Sequence, residues 1–307
     1  MTKKRIIIDT DPGIDDAVAI LAALHSDELE IALFTTVAGN VSVKQTTKNL
    51  LKLLKFAGKD IPVAAGCARP LLAPVRDAVS IHGETGMGGY EFPELGETDK
   101  PLEKHAVQAM RDTIMSSDRK ITLVPIGPLT NIALLLSMYP ECKPNIERIV
   151  MMGGSVTRGN EMPMAEFNIF VDPEAAKIVF DSGVDIVMCG LDVTNKALLT
   201  KENVDTLKDF NKTGYAIFSM FGHYRGGSMN TGFKMHDASA IAYLLRPGMF
   251  ATQRTHADVE IRGEYTYGCI VADLRNKLGL PENATVCLDV DAAEFSRWLV
   301  GALKKCV

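Results

Sequence analysis

Apolar positions in the first two thirds of the chain alternate between short continuous runs and stretches of helical period. Residues 5–8 form an apolar run that ends in acidic residues, which predicts a buried parallel strand. Ala17, Val18, Ile20, Leu21 and Leu24 then recur at helical spacing. Residues 29–37 are rich in strand formers, and 43–56 read as a helix with Leu50, Leu53, Leu54 and Phe56 on its apolar side. The alternation continues with strands at 121–126, 148–152 and 184–189 and helices at 129–136 and 172–180. Such repetition predicts an α/β fold with a mostly parallel central sheet flanked by helices. The last third differs. Residues 215–224 and 238–245 read as helices, and 259–261 and 265–271 flank Arg262-Gly263-Glu264 as a hairpin. A strand at 286–290 and a helix at 295–303 close the chain. This predicts a smaller C-terminal helical and hairpin extension. No Pro/Ser-rich linker or charge block separates the parts, so residues 1–307 read as a single domain. Two glycine-rich stretches, 66–100 and 153–166, show no periodicity and follow predicted strands, as binding loops do.

Composition narrows the function without naming it. The chain has 307 residues, 47% hydrophobic and 23% charged, enough to bury a core without disulfide staples. A formal net charge of −5 argues against a protein that works by neutralising nucleic-acid phosphates. The six cysteines are scattered with no Cys-x-x-Cys pair, so they suggest neither a zinc site nor a dithiol motif. The N-terminal residues lead directly into the first strand with no signal-peptide pattern, and no run of eighteen apolar residues suggests a membrane span. The expectation is a cytoplasmic protein.

The strongest chemical signal is Asp9-Thr10-Asp11-Pro12-Gly13-Ile14-Asp15-Asp16. Four carboxylates in eight residues at the end of a buried strand repel one another unless a cation neutralises them. In open α/β sheets that strand end is where ligands bind. Hard oxygen donors favour calcium or magnesium. Helix capping is the competing explanation, and it accounts for one or two carboxylates but not four. An EF-hand fails, because that loop needs glycine where Ile14 stands and glutamate where Ile20 stands.

This block resembles the motif of the inosine–uridine-preferring nucleoside hydrolases. The similarity runs along nearly the whole chain, through Thr35–Asn40, His82–Met87, Gly127–Ala133, Met152-Gly153-Gly154, Glu166-Phe167-Asn168 and His236-Asp237, in that order. Within the family it is most similar to the bacterial ribonucleoside hydrolases of broad base preference. The resemblance implies hydrolysis of the N-glycosidic bond of a small-molecule ribonucleoside to free base and ribose, by a protein that is typically a homodimer or homotetramer. It implies Ca²⁺ held by Asp11, Asp16, Asp237 and the backbone carbonyl of Ile126, with Asp11 as general base and His236 as leaving-group acid. Asp15 and Asn40 are implied as ribose ligands on one side, and Asn160, Glu166 and Asn168 on the other. His82 is placed to contact the base or the 5′ side, and Met152 and Phe167 are expected pocket walls. The stretch Tyr224–Asn230 is expected to help choose the base, with Asn230 reading a base edge.

Two other readings share these residues. A phosphohydrolase of the haloacid dehalogenase type also places Asp-x-Asp after its first strand, but it needs a later lysine and acidic pair for which the chain has no convincing match. A non-catalytic nucleoside or calcium sensor would use the same ligands; the pairing of Asp11 with His236 favours catalysis.

Overall fold

The computed structural model describes residues 3–307. The first strand, β1 (Lys4–Thr10), alternates its side chains across the sheet, as a pleated strand must. Ile6 and Ile8 join one apolar cluster and Ile7 joins another on the opposite face. Helix α1 (Ile14–Leu24) is buried along its whole length in the first cluster. β2 (Leu29–Thr36), α2 (Val43–Ala57) and β3 (Val63–Ala65) follow. The chain then crosses back through the helix Ala106–Met115 to β4 (Ile121–Pro125), β5 (Ile146–Met152) and β6 (Ile186–Cys189).

The eight-stranded sheet runs in the order β3, β2, β1, β4, β5, β6, Ala284–Val290, Phe250–Thr255. Every neighbouring pair is parallel except the last, where Phe250–Thr255 lies antiparallel at the edge. From β1 the chain builds first toward one edge and then, starting at β4, toward the other. The strand order therefore reverses between β1 and β4, and the crevice beyond their carboxyl ends is the ligand position of an open α/β sheet.

The final third departs from its expected form. It is not an appendage, because Phe250–Thr255 and Ala284–Val290 complete the main sheet and the helix Ala292–Leu303 packs into the same cluster as Ile6 and Ile8. The predicted hairpin about Arg262-Gly263-Glu264 is also displaced. Ala257–Val259 pairs with Ile270–Ala272, and the ten residues between form a loop organised by Glu260. Its carboxylate accepts the N–H groups of Arg262 (2.6 Å) and Gly263 (3.1 Å). Leu198–Leu199, Gly227–Ser228 and Gly232–Lys234 make a small three-stranded ribbon outside the main sheet. Among the described residues no helix is long and apolar enough to cross a membrane.

If the C-terminal strands and helix belong to one cooperative unit, truncating the fully buried Phe295 destabilises the whole chain. Phe295→Ala is expected to cost about 3–5 kcal/mol and to move a single calorimetric transition downward. A second, separate transition at lower temperature would show that the last third unfolds by itself.

Candidate active site

The site begins where β1 stops. Asp11-Pro12-Gly13 turns the chain from β1 into α1, so Asp11 lies at the strand end while Asp15 and Asp16 lie in the first helical turn. Asp16 does part of a capping residue's work, accepting the Gly13 N–H (2.9 Å), the Thr10 hydroxyl (2.7 Å) and the Asn40 amide (3.1 Å). Asp237 occupies the N-cap position of the helix Ala238–Leu245, yet its side chain makes no cap bond. Capping therefore leaves most of the cluster unexplained. Carboxylate oxygens of Asp15, Asp16 and Asp237 all lie within 4.8 Å of one another, and all three residues are buried.

Asp11 sits beside them in a cradle that only glycine permits. A Cβ on Gly39 or on Gly127 would overlap its carboxylate. One Asp11 oxygen accepts the backbone N–H of Asn40 (2.7 Å), and the Asn40 amide donates to the Asp11 carbonyl (3.1 Å). Beneath, Asp9 takes the Thr35 hydroxyl (2.5 Å) and the Asn131 amide (2.8 Å) on one oxygen, while its other oxygen is buried without a partner. Asp9 lies behind the site rather than in it.

Burial and mutual repulsion set the electrostatics. Desolvation, and next the charge of Asp16, raise Asp15 to about 8. Desolvation followed by the neighbouring carboxylates also pushes Asp11 and Asp237 well above the ordinary range, and Asp9 rises to about 6 by desolvation. Asp15 therefore favours its protonated form at neutral pH, and a cation at the cluster would oppose the shift in all of these groups. Three carboxylates gathered at two helix starts beyond the end of β1, with the Ile126 carbonyl just after neighbouring β4, make an all-oxygen donor set suited to a hard divalent ion.

Above this floor opens a cavity of about 610 Å³, a volume that suits a small-molecule ligand. Asp15, Asn40, Ile126, Glu166, Asn168 and Asp237 line its deep part. The Asn168 amide donates to the carbonyls of Ile126 (3.1 Å) and Met152 (3.3 Å), tying together the ends of β4 and β5. Gly154, at φ 77, turns its N–H toward a Glu166 oxygen (2.9 Å), which also caps the helix Phe167–Val171 through Ile169 (3.3 Å). Met152, Asn160 and Phe167 are in the wall as expected, and Asn160 accepts the Phe167 N–H (3.0 Å).

Both candidate histidines reach the cavity. His82 Nδ1 accepts the Ile14 N–H (3.1 Å) at the start of α1 and lies 4.0 Å from Asp15. That bond fixes the proton of the neutral ring on Nε2. His236 Nδ1 pairs with the Thr194 hydroxyl (2.7 Å), which leaves Nε2 for a ligand. Desolvation pushes His82 down to about 4 and, with the Lys234 charge adding to it, His236 to about 3.

Not every expectation is met. Asp11 and Asp16 lie under the floor instead of lining the cavity, and the tightest carboxylate group contains Asp15 where Asp11 was expected. Asn230 is exposed on the ribbon and is not brought to the cavity; Thr231 beside it is. Sequence reasoning also passed over Tyr224 as a residue in its own right. It is buried, its hydroxyl donates to the Lys234 carbonyl (3.1 Å), and its ring lies 5.5 Å from that of His82. No local pattern marks it, because the ribbon that places it is too short to show a period.

Comparison with known proteins decides the chemistry. The family model for inosine-uridine preferring nucleoside hydrolase matches residues 6–297. The chain belongs to this family. The non-specific ribonucleoside hydrolase RihC of Klebsiella pneumoniae subsp. pneumoniae is 56% identical over 293 residues, covering 95% of this chain and 96% of that protein. The protein of the same name from Salmonella typhi is 56% identical over 294 residues, with 96% and 95% covered. A purine-preferring ribonucleoside hydrolase from Gardnerella vaginalis superposes with a TM-score of 0.90 at 30% identity, covering 98% of each chain. A plant nucleoside hydrolase superposes equally well at 32% identity, over 98% of this chain and 99% of that one. The protein is thus a nucleoside hydrolase, acting on N-glycosyl compounds, and the dehalogenase and sensor readings fall.

The crowded carboxylates give a pH test that needs no substrate. With chelator present, folded Asp15 keeps its proton up to about 8 but the unfolded chain loses it near 3.8, so the folded state binds more protons and stability falls as pH rises. His82 and His236 act in the opposite sense, but only below their ordinary 6.5. Between pH 6.5 and 8, therefore, the melting temperature of the chelated protein should drop, and added Ca²⁺ should cancel the drop. A level or rising melting temperature over that window would mean that the carboxylates are not held together.

Proposed function

We propose that the protein hydrolyses purine and pyrimidine ribonucleosides to base and ribose in a Ca²⁺-dependent reaction. The observation that carries this reading is the buried carboxylate group at the β1/β4 switch point, set beneath a cavity whose deep wall is carboxylates and amides. Asp11, Asp16, Asp237 and the Ile126 carbonyl would hold the ion, with Asp15 close enough to compete for it. Bound Ca²⁺ supplies Lewis acidity that makes water easier to deprotonate.

The residues supply the rest. Asp11 takes the proton of the attacking water, and its glycine cradle holds the carboxylate in one orientation for that task. Asp15 and Asn40 face the sugar from one side, and Asn160, Glu166 and Asn168 from the other. Positive charge grows on the ribose as the glycosidic bond breaks, and the surrounding carboxylates stabilise it more than they stabilise the neutral substrate. His236 offers Nε2 on the base side, and His82 holds the start of α1, hence Asp15, in place. Six unpaired, buried cysteines suit a reducing compartment, which supports a cytoplasmic enzyme. The family resemblance supports a homodimer or homotetramer.

Chelation should abolish release of reducing sugar from inosine and uridine, and Ca²⁺ should restore it. Full activity in protein shown by elemental analysis to be metal-free would refute the metal dependence. Asp11→Asn should lower kcat by about 10²–10⁴-fold, and wild-type turnover in that variant would move the base elsewhere. The sugar pocket predicts rejection of 2′-deoxyribonucleosides, because losing the 2′-hydroxyl strands buried acceptors. Sites built around a hydroxyl can discriminate by ~10⁴–10⁵ in kcat/KM. Equal kcat/KM for uridine and 2′-deoxyuridine would place the sugar elsewhere in the cavity.

A further inference from the structure

A ribose held by the carboxylates and amides at the sheet edge leaves its base to face the remaining wall. That wall comes from residues 78–82 and from the small ribbon, and it carries Ile81, Tyr224, Arg225, Thr231 and Lys234. Two of these are basic side chains, Arg225 and Lys234. Among the described residues neither forms an ion pair. Lys234 is fixed through its backbone, where its carbonyl accepts the Tyr224 hydroxyl (3.1 Å) and its N–H donates to Gly226 (3.2 Å). Its side chain is half-buried, two residues from His236 along the chain. The Arg225 N–H donates to the Ile81 carbonyl (3.2 Å), which ties the ribbon to the opposite lip. Among the described residues the acidic side chains of the outer wall, Asp77 and Glu161, form no ion pair with either cation. Asp77 accepts the Val79 N–H (3.3 Å), and the charge of Glu161 is felt at Glu166, on the sugar wall.

Unpaired cations beside a neutral substrate do little in the ground state but act strongly on negative charge that develops in the reaction. We propose that Lys234, assisted by Arg225, stabilises the base as it leaves; this rests on the ribonucleoside hydrolysis proposed above. The C1′–N bond breaks with its electron pair passing to the base, and in uracil or hypoxanthine that charge spreads onto the exocyclic oxygens. The cations meet it there. Water forms the new C1′–O bond and gives one proton to Asp11, which returns it to solvent, while the base anion takes up a proton from solvent. Bases with exocyclic carbonyls gain most. Adenine, with an amine in that place, gains less.

The test compares wild-type, Lys234→Met, Lys234→Arg and Arg225→Met enzymes, all Ca²⁺-loaded, on inosine, uridine, adenosine and 4-nitrophenyl riboside. In Lys234→Met, kcat/KM for inosine and uridine should fall about 10- to 100-fold. It should fall less for adenosine and little for 4-nitrophenyl riboside, whose phenolate leaves unaided. Lys234→Arg should recover most of the loss, and Arg225→Met should show the same ordering of substrates at smaller amplitude. Unchanged turnover of inosine in Lys234→Met, or an equal loss on all four substrates, would overturn the inference. Failure of the wild-type protein to release sugar from any ribonucleoside would instead overturn the hydrolytic reading itself.

Discussion

Like charges do not share a dry interior without a counter-charge, and much of this molecule is arranged around one place where they are made to. Asp11, Asp15, Asp16 and Asp237 come from two distant stretches of chain and meet where β1 and β4 part. Burial and mutual repulsion raise the proton affinity of each, Asp15 to about 8. A cation turns the same arrangement into a stable one, so binding the ion and holding the floor rigid are one free-energy problem. The supporting polar groups fit this account. Asn40 and Thr10 spend their donors on Asp11 and Asp16, and Asn131 braces Asp9 from below. None of these bonds is needed to build an α/β sheet. They are needed to keep carboxylates from turning away from one another.

The glycines at 39 and 127 follow from the same constraint. Each follows a strand that borders β1, and each leaves room for the Asp11 carboxylate where any side chain would intrude. Replacing either would force Asp11 to rotate away from the N–H of Asn40, with loss of a bond to a charged group of about 1.5–3 kcal/mol. Sequence motifs around Thr35–Asn40 and Gly127–Ala133 therefore carry geometric information about a residue more than twenty positions distant.

Much of the floor was legible in the sequence because it is built by strong local signals. Ile6, Ile7 and Ile8 announce a strand buried on both faces, and the acidic block at its end has no comfortable explanation without a ligand. The outer wall was less legible. Phe250–Thr255 is an edge strand with exposed residues in its middle, so it lacks the apolar run that marks β1. The loop after Val259 is organised by one Glu260 carboxylate, and a glycine at 263 drew the predicted turn to the wrong place. Tyr224 and Lys234 owe their positions to a ribbon of two- and three-residue strands, too short for any period to appear. Asn230 lies outside the cavity lining for the same reason. In so short a ribbon a shift of one residue decides which side chain reaches the cavity rim, and there it is the exposed Thr231.

This division between a buried floor and a half-exposed outer wall has a functional consequence. Under the proposed function the sugar would meet carboxylates and amides fixed by hydrogen bonds, so a misplaced hydroxyl would leave buried polar groups unpaired, at high cost. The base would meet a half-exposed wall, cross-tied within itself by Tyr224 to Lys234 and Arg225 to Ile81. A wall of that kind distinguishes bases weakly by shape, and it can still favour departure of any base that spreads negative charge toward Lys234 and Arg225. The proposed strict recognition of ribose and tolerance toward the base would then need no separate devices. They would follow from the contrast between a buried, hydrogen-bonded half of the cavity and a half-exposed one.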